Sequence, residues 1–259
     1  MAANGYAKEL DVAIRAVERA GRVTLDYFQT DLDVEHKADL TPVTVADRQA
    51  EEKVRETIAR VFPADGILGE ELGELAGTSG RRWIIDPIDG TQSFIRGVPL
   101  YGVLVGLEDG GRCVVGAAAF PALGDTLWAA RGAGAFLNGS RIQVSDARSL
   151  AEATVLAVDC KPEYFGDKYE GLVRLLRRAA RQRGWGDCYG HALVAMGRAE
   201  VMLDPELNPW DSAALVPIVE EAGGVFVDWS GAASIYGGSG ITVTAALRDE
   251  VLRVLHETP

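Results

Sequence analysis

The segment 83–94, which reads WIIDPIDGTQSF, constrains the fold more than any other part of this chain. Its apolar start, Trp83–Ile85, predicts a buried strand, which ends in the carboxylates Asp86 and Asp89 on either side of a turn. The Gly-Thr pair that follows predicts the start of a short helix. Carboxylate oxygens are ligands for hard divalent cations, and the free N–H groups at a helix N-terminus bind anions. The segment therefore predicts a site for a divalent cation beside a phosphate.

Three further acids lie where predicted elements begin or end. Glu70 follows the apolar run Ile67–Gly69, and Asp47 and Asp211 each stand at the start of a predicted helix. Each also has a simpler explanation, namely a solvated loop for Glu70 and a favoured helix-start position for the two aspartates. Like charges repel one another unless a cation holds them together. The metal interpretation therefore requires the fold to bring these separate elements to one place.

The composition is that of a soluble globular protein and excludes several classes of partner. The 259 residues are 47% hydrophobic, and 26 basic against 38 acidic residues give a net charge of −12. Nucleic acids and anionic membranes bind basic surfaces, so we expect neither as a partner. Cys113, Cys160 and Cys188 are odd in number and far apart, which argues against a disulfide framework or a zinc site. With no apolar signal or membrane-spanning segment visible, we expect a cytoplasmic protein.

Hydrophobic periodicity predicts an α+β protein. Helices are predicted over residues 5–28, 44–62, 164–182, 189–197, 211–222 and 247–256. Strands are predicted near residues 34–36, 66–69, 83–85, 103–107, 113–120, 126–130, 135–137, 154–158, 184–186, 201–203 and 241–244. Pro217 should kink the helix 211–222, and His191 is predicted to pack on an apolar helix. Because no linker divides the chain, we expect residues 1–145 and 146–259 to form two α+β halves that share one site.

The motifs, taken in order, resemble the inositol monophosphatase family of magnesium-dependent, lithium-sensitive phosphatases. The resemblance covers nearly the whole chain. It rests on residues 43–47, 69–71, 83–97, 132–139, 210–214 and 221–224. It implies a layered αβαβα sandwich, two or three Mg²⁺ ions in the site, a small phosphorylated metabolite as substrate, and a homodimer.

The resemblance also assigns a role to each acid. It implies that Glu70, Asp86 and the carbonyl of Ile88 hold one Mg²⁺, and that Asp86, Asp89 and Asp211 hold a second. The amides of Gly90 and Thr91 are expected to bind the phosphate. Glu70 with a metal ion, and Thr91 with Asp47, would orient the attacking water. Catalysis would then proceed by direct attack of water, without a covalent phosphoenzyme.

The choice of substrate depends on the acids that would face the leaving group. Asp187, Asp204 and Glu206, with Asn208 beside them, favour a cationic leaving group over a neutral polyol, and histidinol phosphate carries an amine and an imidazole. The segments 90–99 and 186–191 also resemble the histidinol-phosphatase branch of the family. The alternative explanations are a helix N-cap for Asp187 and a turn for Asp204. Inositol monophosphate, or another sugar or nucleotide phosphate, remains the alternative substrate.

Two other classes of function stay open at this stage. Haloacid-dehalogenase-like phosphatases use an Asp-x-Asp-Gly-Thr motif to form an aspartyl phosphate, but the spacing from Asp86 to Asp89 is one residue too long and leaves Glu70 and Asp211 without a role. A metal-binding or scaffolding protein with a vestigial site is the non-enzymatic alternative. The presence of every acid that the mechanism requires argues against it.

Overall fold

A computed structural model of the chain describes residues 5–31, 35–36, 42–158 and 161–257. The helices are α1 Ala7–Tyr27, α2 Val45–Ala59, α3 Thr91–Ile95, α4 Pro162–Phe165, α5 Tyr169–Arg178, α6 Asp187–Ala195, α7 Pro209–Ser212, α8 Leu215–Glu221 and α9 Arg248–Leu255. The strands are β1 Glu35–His36, β2 Pro42–Val43, β3 Gly66–Gly69, β4 Gly73–Leu75, β5 Arg82–Asp89, β6 Gly102–Asp109, β7 Arg112–Phe120, β8 Asp125–Ala130, β9 Gly134–Leu137, β10 Ser140–Ile142, β11 Thr154–Ala157, β12 Arg181–Arg183, β13 Val201–Asp204, β14 Gly224–Val227 and β15 Gly240–Thr244. Short 3₁₀ turns lie at Pro121–Leu123, Gly166–Lys168 and Ala245–Leu247.

Two large sheets carry the core. The first has eight strands in the order β10-β9-β8-β7-β6-β5-β3-β4, in which neighbours are antiparallel except for the parallel pair β3 and β5. The second has five strands in the order β12-β11-β13-β15-β14, in which β11 is parallel to both of its neighbours. Strands β1 and β2 form a separate antiparallel pair.

Helices and sheets alternate in five layers. α1 and α2 cover one face of the eight-stranded sheet, with a core that includes Val12, Val54, Ile58 and Trp83. α6 and α8 lie between the two sheets and contact strands of both. α5 and α9 cover the outer face of the five-stranded sheet. The order helix, sheet, helix, sheet, helix confirms the predicted α+β layered αβαβα sandwich.

A β-bulge in β5 shapes the end of this buried strand. Asp86 pairs with Leu104 of β6, whereas Asp89 pairs with Gly102, so two residues of β5 oppose one residue of β6. In a regular strand, residues three apart point to opposite faces of the sheet. The extra residue of a bulge corrects this alternation. Asp86 and Asp89 can therefore project to the same side of the sheet.

The predicted helix 211–222 is two helices, α7 and α8. The break falls at Ala213 and Ala214, just before Pro217. Proline has no N–H to donate to the carbonyl four residues earlier, here that of Ala213, so the proline is accommodated in the first turn of a new helix. Ala213 and Ala214 both keep right-handed helical backbone angles, so the junction is an interruption of the helix near Pro217, as predicted, and it divides the segment into two helices.

Other differences from the predicted elements involve polar or short segments. The predicted helix 164–182 is divided into α4, a 3₁₀ turn and α5, and the strand predicted at 184–186 lies three residues earlier, as β12. The short strands β2, β4, β10 and β14 were not predicted. All three residues of β4 are exposed, and β14 begins at the second glycine of the pair 223–224, which in the sequence indicates a helix cap. Val34 and Cys160 lie outside the described residues, whereas Cys113 and Cys188 are free thiols.

Among the described residues, no helix combines the length and the apolar character needed to cross a membrane.

Candidate active site

Three carboxylates from distant parts of the chain converge at the end of β5. Asp86, Asp89 and Asp211 each offer an oxygen atom, and these atoms all lie within 4.8 Å of one another. Asp86 and Asp89 are buried, with 2% and 9% of their surface exposed. An arrangement of hard oxygen donors at this spacing suits a divalent cation such as Mg²⁺ or Ca²⁺.

Local structure fixes the position of Asp211. It is the third residue of α7, and its Oδ2 accepts a hydrogen bond of 2.6 Å from the backbone N–H of Asn208, which precedes the helix. Pro209 occupies the first helical position, where its missing N–H costs nothing. The predicted helix-start role of Asp211 is therefore real. This role is compatible with membership of the carboxylate cluster, because the Asp211 carboxylate both caps α7 through Oδ2 and lies close to Asp86 and Asp89.

Burial, together with neighbouring negative charges, makes the three carboxylates harder to ionise. Burial, followed by the charges of Glu70, Asp89 and Asp211, raises the pKa of Asp86 well above its ordinary range. Burial and the charges of Asp187 and Asp211 do the same for the pKa of Asp89. The pKa of Asp211 is raised to about 7, mainly by burial. Negative charge at this density is stabilised either by protons or by a cation.

Glu70 and Asp47 belong to segments next to β5, at the end of its neighbouring strand β3 and at the start of α2. Glu70 directly follows β3, and its N–H donates a hydrogen bond of 3.3 Å to the carbonyl of Ile85 in β5. Asp47 is the third residue of α2, where its Oδ2 accepts hydrogen bonds of 2.7 Å from both the N–H and the hydroxyl of Thr44. Burial raises the pKa of Asp47 to about 6, against the lowering effect of the bonds from Thr44.

The turn after β5 contains the predicted phosphate-binding residues. Gly90 has a φ of +83°, in the left-handed region that glycine adopts without strain. A Cβ at this position would also lie 2.9 Å from the carbonyl oxygen of Leu100. The hydroxyl of Thr91 donates a hydrogen bond of 3.0 Å to the carbonyl of Ile88. That oxygen keeps a second lone pair, so the predicted ligand role of Ile88 is compatible with this bond.

Asp187 and Asp204, the acids predicted to recognise the leaving group, line one cleft together with the carboxylate cluster. Asp204 is buried at the end of β13, and its Oδ1 accepts hydrogen bonds from the backbone N–H of Glu206 at 3.3 Å and from the hydroxyl of Tyr164 at 3.5 Å. Asp187 begins α6 with a φ of +53°. Burial raises the pKa of Asp187 to about 6, and it raises the pKa of Asp204 further.

The next residue of α6 connects the two groups of acids. The backbone N–H of Cys188 donates a hydrogen bond of 3.1 Å to Oδ1 of Asp89. The start of α6 therefore places Asp187 on the wall of the cleft and the backbone amide of Cys188 against the carboxylate cluster.

One cleft of about 170 Å³ contains nearly all of the predicted site residues. It is lined by Glu70, Asp86, Ile88, Asp89, Gly90, Thr91, Val158, Tyr164, Asp187, Asp204, Glu206, Leu207, Asn208, Trp210 and Asp211. Asp47 is the one predicted site residue that is not on its wall, because it is buried below the surface. A larger cavity of about 470 Å³, near Cys113 and Tyr236, contains none of the predicted site residues.

Two described residues in or near the site, Tyr164 and Glu51, have polar contacts that were not predicted from the sequence. Tyr164 lies on the wall of the cleft, and nothing in the sequence around it distinguishes it from other aromatic residues of an amphipathic segment. Glu51 lies one helical turn after Asp47 and is completely buried. Its spacing of four residues places it on the same helix face as Asp47, but a solvated acid would show the same spacing, so this signal does not identify it.

Comparison with known proteins places the chain among phosphatases. A sequence model described as the inositol monophosphatase family matches residues 6–258. A histidinol-phosphatase from Chlorobaculum parvum is 51% identical over 90% of this chain and 90% of its own length. A histidinol-phosphatase from Mycobacterium tuberculosis is 39% identical over 96% of this chain and 98% of its own. The crystal structure of the extragenic suppressor protein suhB from Bartonella henselae superposes with a TM-score of 0.91 at 29% identity, covering 98% of this chain and 100% of that one. This chain belongs to the inositol monophosphatase family.

Proposed function

We propose that this chain is a metal-dependent phosphoric monoester hydrolase that converts histidinol phosphate to histidinol and phosphate, a reaction of histidine biosynthesis. The observation that carries the proposal is the pairing of two acidic groups in one cleft. Asp86, Asp89 and Asp211 suit cations that bind a phosphate, and Asp187 and Asp204 line the same cleft, which supports the proposal that they face the leaving group. The two relatives named histidinol-phosphatase, which match almost the full length of the chain, support the choice of substrate.

The donor set supports Mg²⁺ as the cofactor. Asp86, Asp89 and Asp211 supply only oxygen atoms, and Glu70 and the carbonyl of Ile88 line the same cleft. Such ligands are typical of Mg²⁺ sites that also bind a substrate phosphate. We propose two or three Mg²⁺ ions per site, with inhibition by Li⁺ as the family resemblance implies.

The chain's own residues would bind, orient and position the reactants. When bound, the metal ions would lower the pKa of a water molecule and stabilise the negative charge of the phosphate and of the leaving oxygen. The amides of Gly90 and Thr91 would bind phosphate oxygens at the start of α3. Glu70, and Thr91 with Asp47, would orient the attacking water. Positioning and neutralisation of charge then account for most of the catalysis.

The acidic rim favours a cationic leaving group. Histidinol carries an ammonium group and an imidazole that can be protonated, and Asp187 and Asp204 would pair with these groups. With its pKa near 6, Asp187 is ionised at neutral pH and available for such a pair. A buried carboxylate left without a partner is costly, so a neutral ring would be accepted less readily.

Inositol monophosphate is the second candidate substrate, since the family takes its name from that activity. Carboxylates accept hydrogen bonds from hydroxyl groups as well as from ammonium groups. Asp204, which already accepts from Tyr164, would suit a substrate hydroxyl. The aspartyl-phosphate mechanism has less support, because the spacing from Asp86 to Asp89 does not match its motif and it gives no role to Asp211, which lies in the same cluster.

Steady-state kinetics with purified protein and Mg²⁺ test the proposal. We expect kcat/KM for histidinol phosphate to exceed that for inositol 1-phosphate by at least about tenfold. A preference of the same size for inositol phosphate would overturn the substrate assignment. Failure to hydrolyse any small phosphomonoester would favour the non-enzymatic alternative.

We further propose that the protein acts as a homodimer in the cytoplasm. The dimer follows from the family resemblance, and the free thiols Cys113 and Cys188 suit a reducing compartment. Light scattering coupled to size-exclusion chromatography would test the dimer.

A further inference from the structure

We propose that Glu51 is a positioning residue that fixes the turn carrying Glu70 and thereby positions the Glu70 carboxylate beside the carboxylate cluster of Asp86, Asp89 and Asp211. This inference rests on the proposed metal site. It assigns a task to a buried acid that the proposed reaction does not itself use.

Glu51 is a fully buried carboxylate with a matched set of partners. Its side chain has no exposed surface, and its Oε1 accepts a hydrogen bond of 2.7 Å from Nε of Arg55, one turn later on α2. The side chain of Arg55 is itself only 16% exposed. A buried charge is tolerated when an opposite charge and further hydrogen bonds compensate for lost hydration. The remaining partners of Glu51 are therefore informative.

Those partners are the backbone amides of the turn between β3 and β4. The N–H of Glu71 donates to Oε2 at 2.8 Å, and the N–H of Leu72 lies 3.3 and 3.4 Å from the two carboxylate oxygens. Arg55 also donates to the carbonyl of Gly73, where β4 begins. One ion pair on α2 therefore holds the turn from Glu71 to Gly73.

The backbone at Gly69 shows how closely this contact is packed. A Cβ on Gly69 would lie 2.0 Å from Oε1 of Glu51 and 2.8 Å from Nη2 of Arg55. Real Cβ atoms do not approach other atoms this closely. The end of β3 therefore needs a glycine because the Glu51 carboxylate occupies the space that a side chain would fill.

Glu70 lies between two anchored points. Its own N–H bonds to the carbonyl of Ile85, and the N–H of the next residue bonds to Glu51. Glu70 lines the cleft, and its negative charge contributes to the raised pKa of Asp86. Metal ligands are commonly oriented by such supporting hydrogen bonds, whose removal weakens metal binding by about 10–100-fold. Glu51 occupies this supporting position through the backbone of the turn.

The test measures metal binding to Glu51→Gln. Mn²⁺ is titrated calorimetrically into the metal-free parent, Glu51→Gln, Glu70→Gln and the double variant, and thermal melts of the same metal-free samples report the fold. We expect Glu51→Gln to weaken Mn²⁺ binding by about tenfold or more, and to have much less effect when Glu70 is already Gln. Such non-additivity is the signature of one residue acting through another. Glu56→Gln, which removes an exposed acid of the same helix, serves as the matched control and should bind like the parent.

The outcomes separate this inference from the proposed function. A parent that binds no Mn²⁺ would refute the metal site itself and with it the role of Glu51. A parent that binds, together with a folded Glu51→Gln that binds equally well or loses affinity additively with Glu70→Gln, would overturn the inference alone. If Glu51→Gln does not fold, Glu51→Asp keeps the charge but shortens the reach to the turn, and it should show the weakened binding. If neither variant folds, Glu51 serves only the fold and the proposal is wrong.

Discussion

At the scale of single residues, the carboxylate cluster should be sensitive to the loss of one charge. Asp89→Asn keeps an oxygen that can accept the hydrogen bond from the Cys188 amide, so the fold should persist. It removes one of the three negative charges that would hold the cations. We expect phosphatase activity with Mg²⁺ to fall by about 100-fold or more, with an unchanged circular dichroism spectrum.

Asp249→Asn is a suitable control for this variant because Asp249 is almost fully exposed and pairs only with its neighbour Arg248. It should retain parental activity. An Asp89→Asn enzyme with more than about a tenth of parental activity would contradict a ligand role for Asp89.

A second residue-scale prediction concerns Asp187 and Asp204. The double variant Asp187→Asn with Asp204→Asn removes the negative charge that would attract a cationic leaving group. Asparagine tolerates the left-handed backbone at position 187, so the start of α6 should be preserved. We expect kcat/KM for histidinol phosphate to fall at least about tenfold further than that for phenyl phosphate. Equal losses on the two substrates would mean that these acids do not recognise the cation.

How much of the site could be predicted depended on whether a residue lay in a motif. Asp86 and Asp89 lie together at a strand end, a pattern that indicates ligands for a divalent cation. The structure places them close to Asp211, as expected. Glu51 could not be recognised, because an acid in a helix with Arg55 four residues later is typical of a solvated face. Only the tertiary contact with the β3–β4 turn shows that this pair is buried.

At the scale of elements, the position of Asp211 depends on the close approach of α7 and α8 to the eight-stranded sheet. A Cβ on Gly116 of β7 would lie 2.0 Å from the carbonyl oxygen of Ala214 and 2.8 Å from Cγ of Pro217. Gly116→Ala must therefore push the helix junction away from the strand. We expect the free energy of unfolding to fall by about 1–3 kcal/mol and Mn²⁺ binding to weaken, as measured by denaturant unfolding and calorimetry.

Gly184→Ala provides the comparison, since a Cβ there would meet nothing within 4 Å. It should leave both stability and Mn²⁺ binding unchanged. Parental Mn²⁺ affinity in a destabilised Gly116→Ala protein would show that the helix junction does not set the position of Asp211.

Elements with a strong apolar pattern were predictable, and those defined by their neighbours were not. α1 and the strands β6 to β8 follow from periodicity alone, because their apolar residues face a continuous core, whereas β5 continues past the predicted residues 83–85 to Asp89. β12 consists of Arg181, Gln182 and Arg183, all exposed, and it is a strand only because β11 offers it free backbone groups. The break between α7 and α8 depends on the carbonyl that Pro217 leaves without a partner, which fixes a position that the hydrophobic pattern alone does not reveal.

At the scale of the whole molecule, the buried acids should give the metal-free protein an unusual dependence on pH. An acid whose pKa is higher in the folded chain than in the unfolded chain stabilises the fold below its unfolded value, about 4. That contribution is lost as pH rises through the folded pKa, about 6 for Asp47 and Asp187 and about 7 for Asp211. The buried imidazole of His191, whose pKa is lowered to about 3, has the opposite effect up to its ordinary pKa of about 6.5. We therefore expect the Tm of the metal-free protein to fall between about pH 6.5 and pH 8, where Asp211, with a pKa of about 7, loses its proton.

Added Mg²⁺ should reverse this loss at pH 8, because a cation that binds only the folded state stabilises it. Asp211→Asn should show a shallower fall of Tm with pH in the metal-free state. A metal-free parent whose Tm rises steadily from pH 5 to pH 8 would contradict the proposed clustering of ionisable carboxyl groups.

The division of the molecule into the halves 1–145 and 146–259 stays a prediction, although the two sheets draw on these two parts of the chain. The eight-stranded sheet ends at Ile142, and the five-stranded sheet begins at Thr154. Periodicity predicts most of the strands of each sheet, and the family resemblance implies the layered order, but periodicity alone does not assign α6 and α8 to the layer between the sheets. The faces of these helices are apolar toward both sheets, and periodicity does not say which partner each face will find.

The division of the cleft between the two sheets has a consequence for the order in which the molecule becomes active during synthesis. When a ribosome has just added Ile142, the chain already contains Asp86 and Asp89, while Asp187, Asp204 and Asp211 are still untranslated. A nascent chain of this length contains every strand of the eight-stranded sheet but lacks Asp211, the third member of the carboxylate cluster. With the proposed ligands, catalysis would begin only after α7 has emerged, and an unfinished polypeptide would not consume the metabolite.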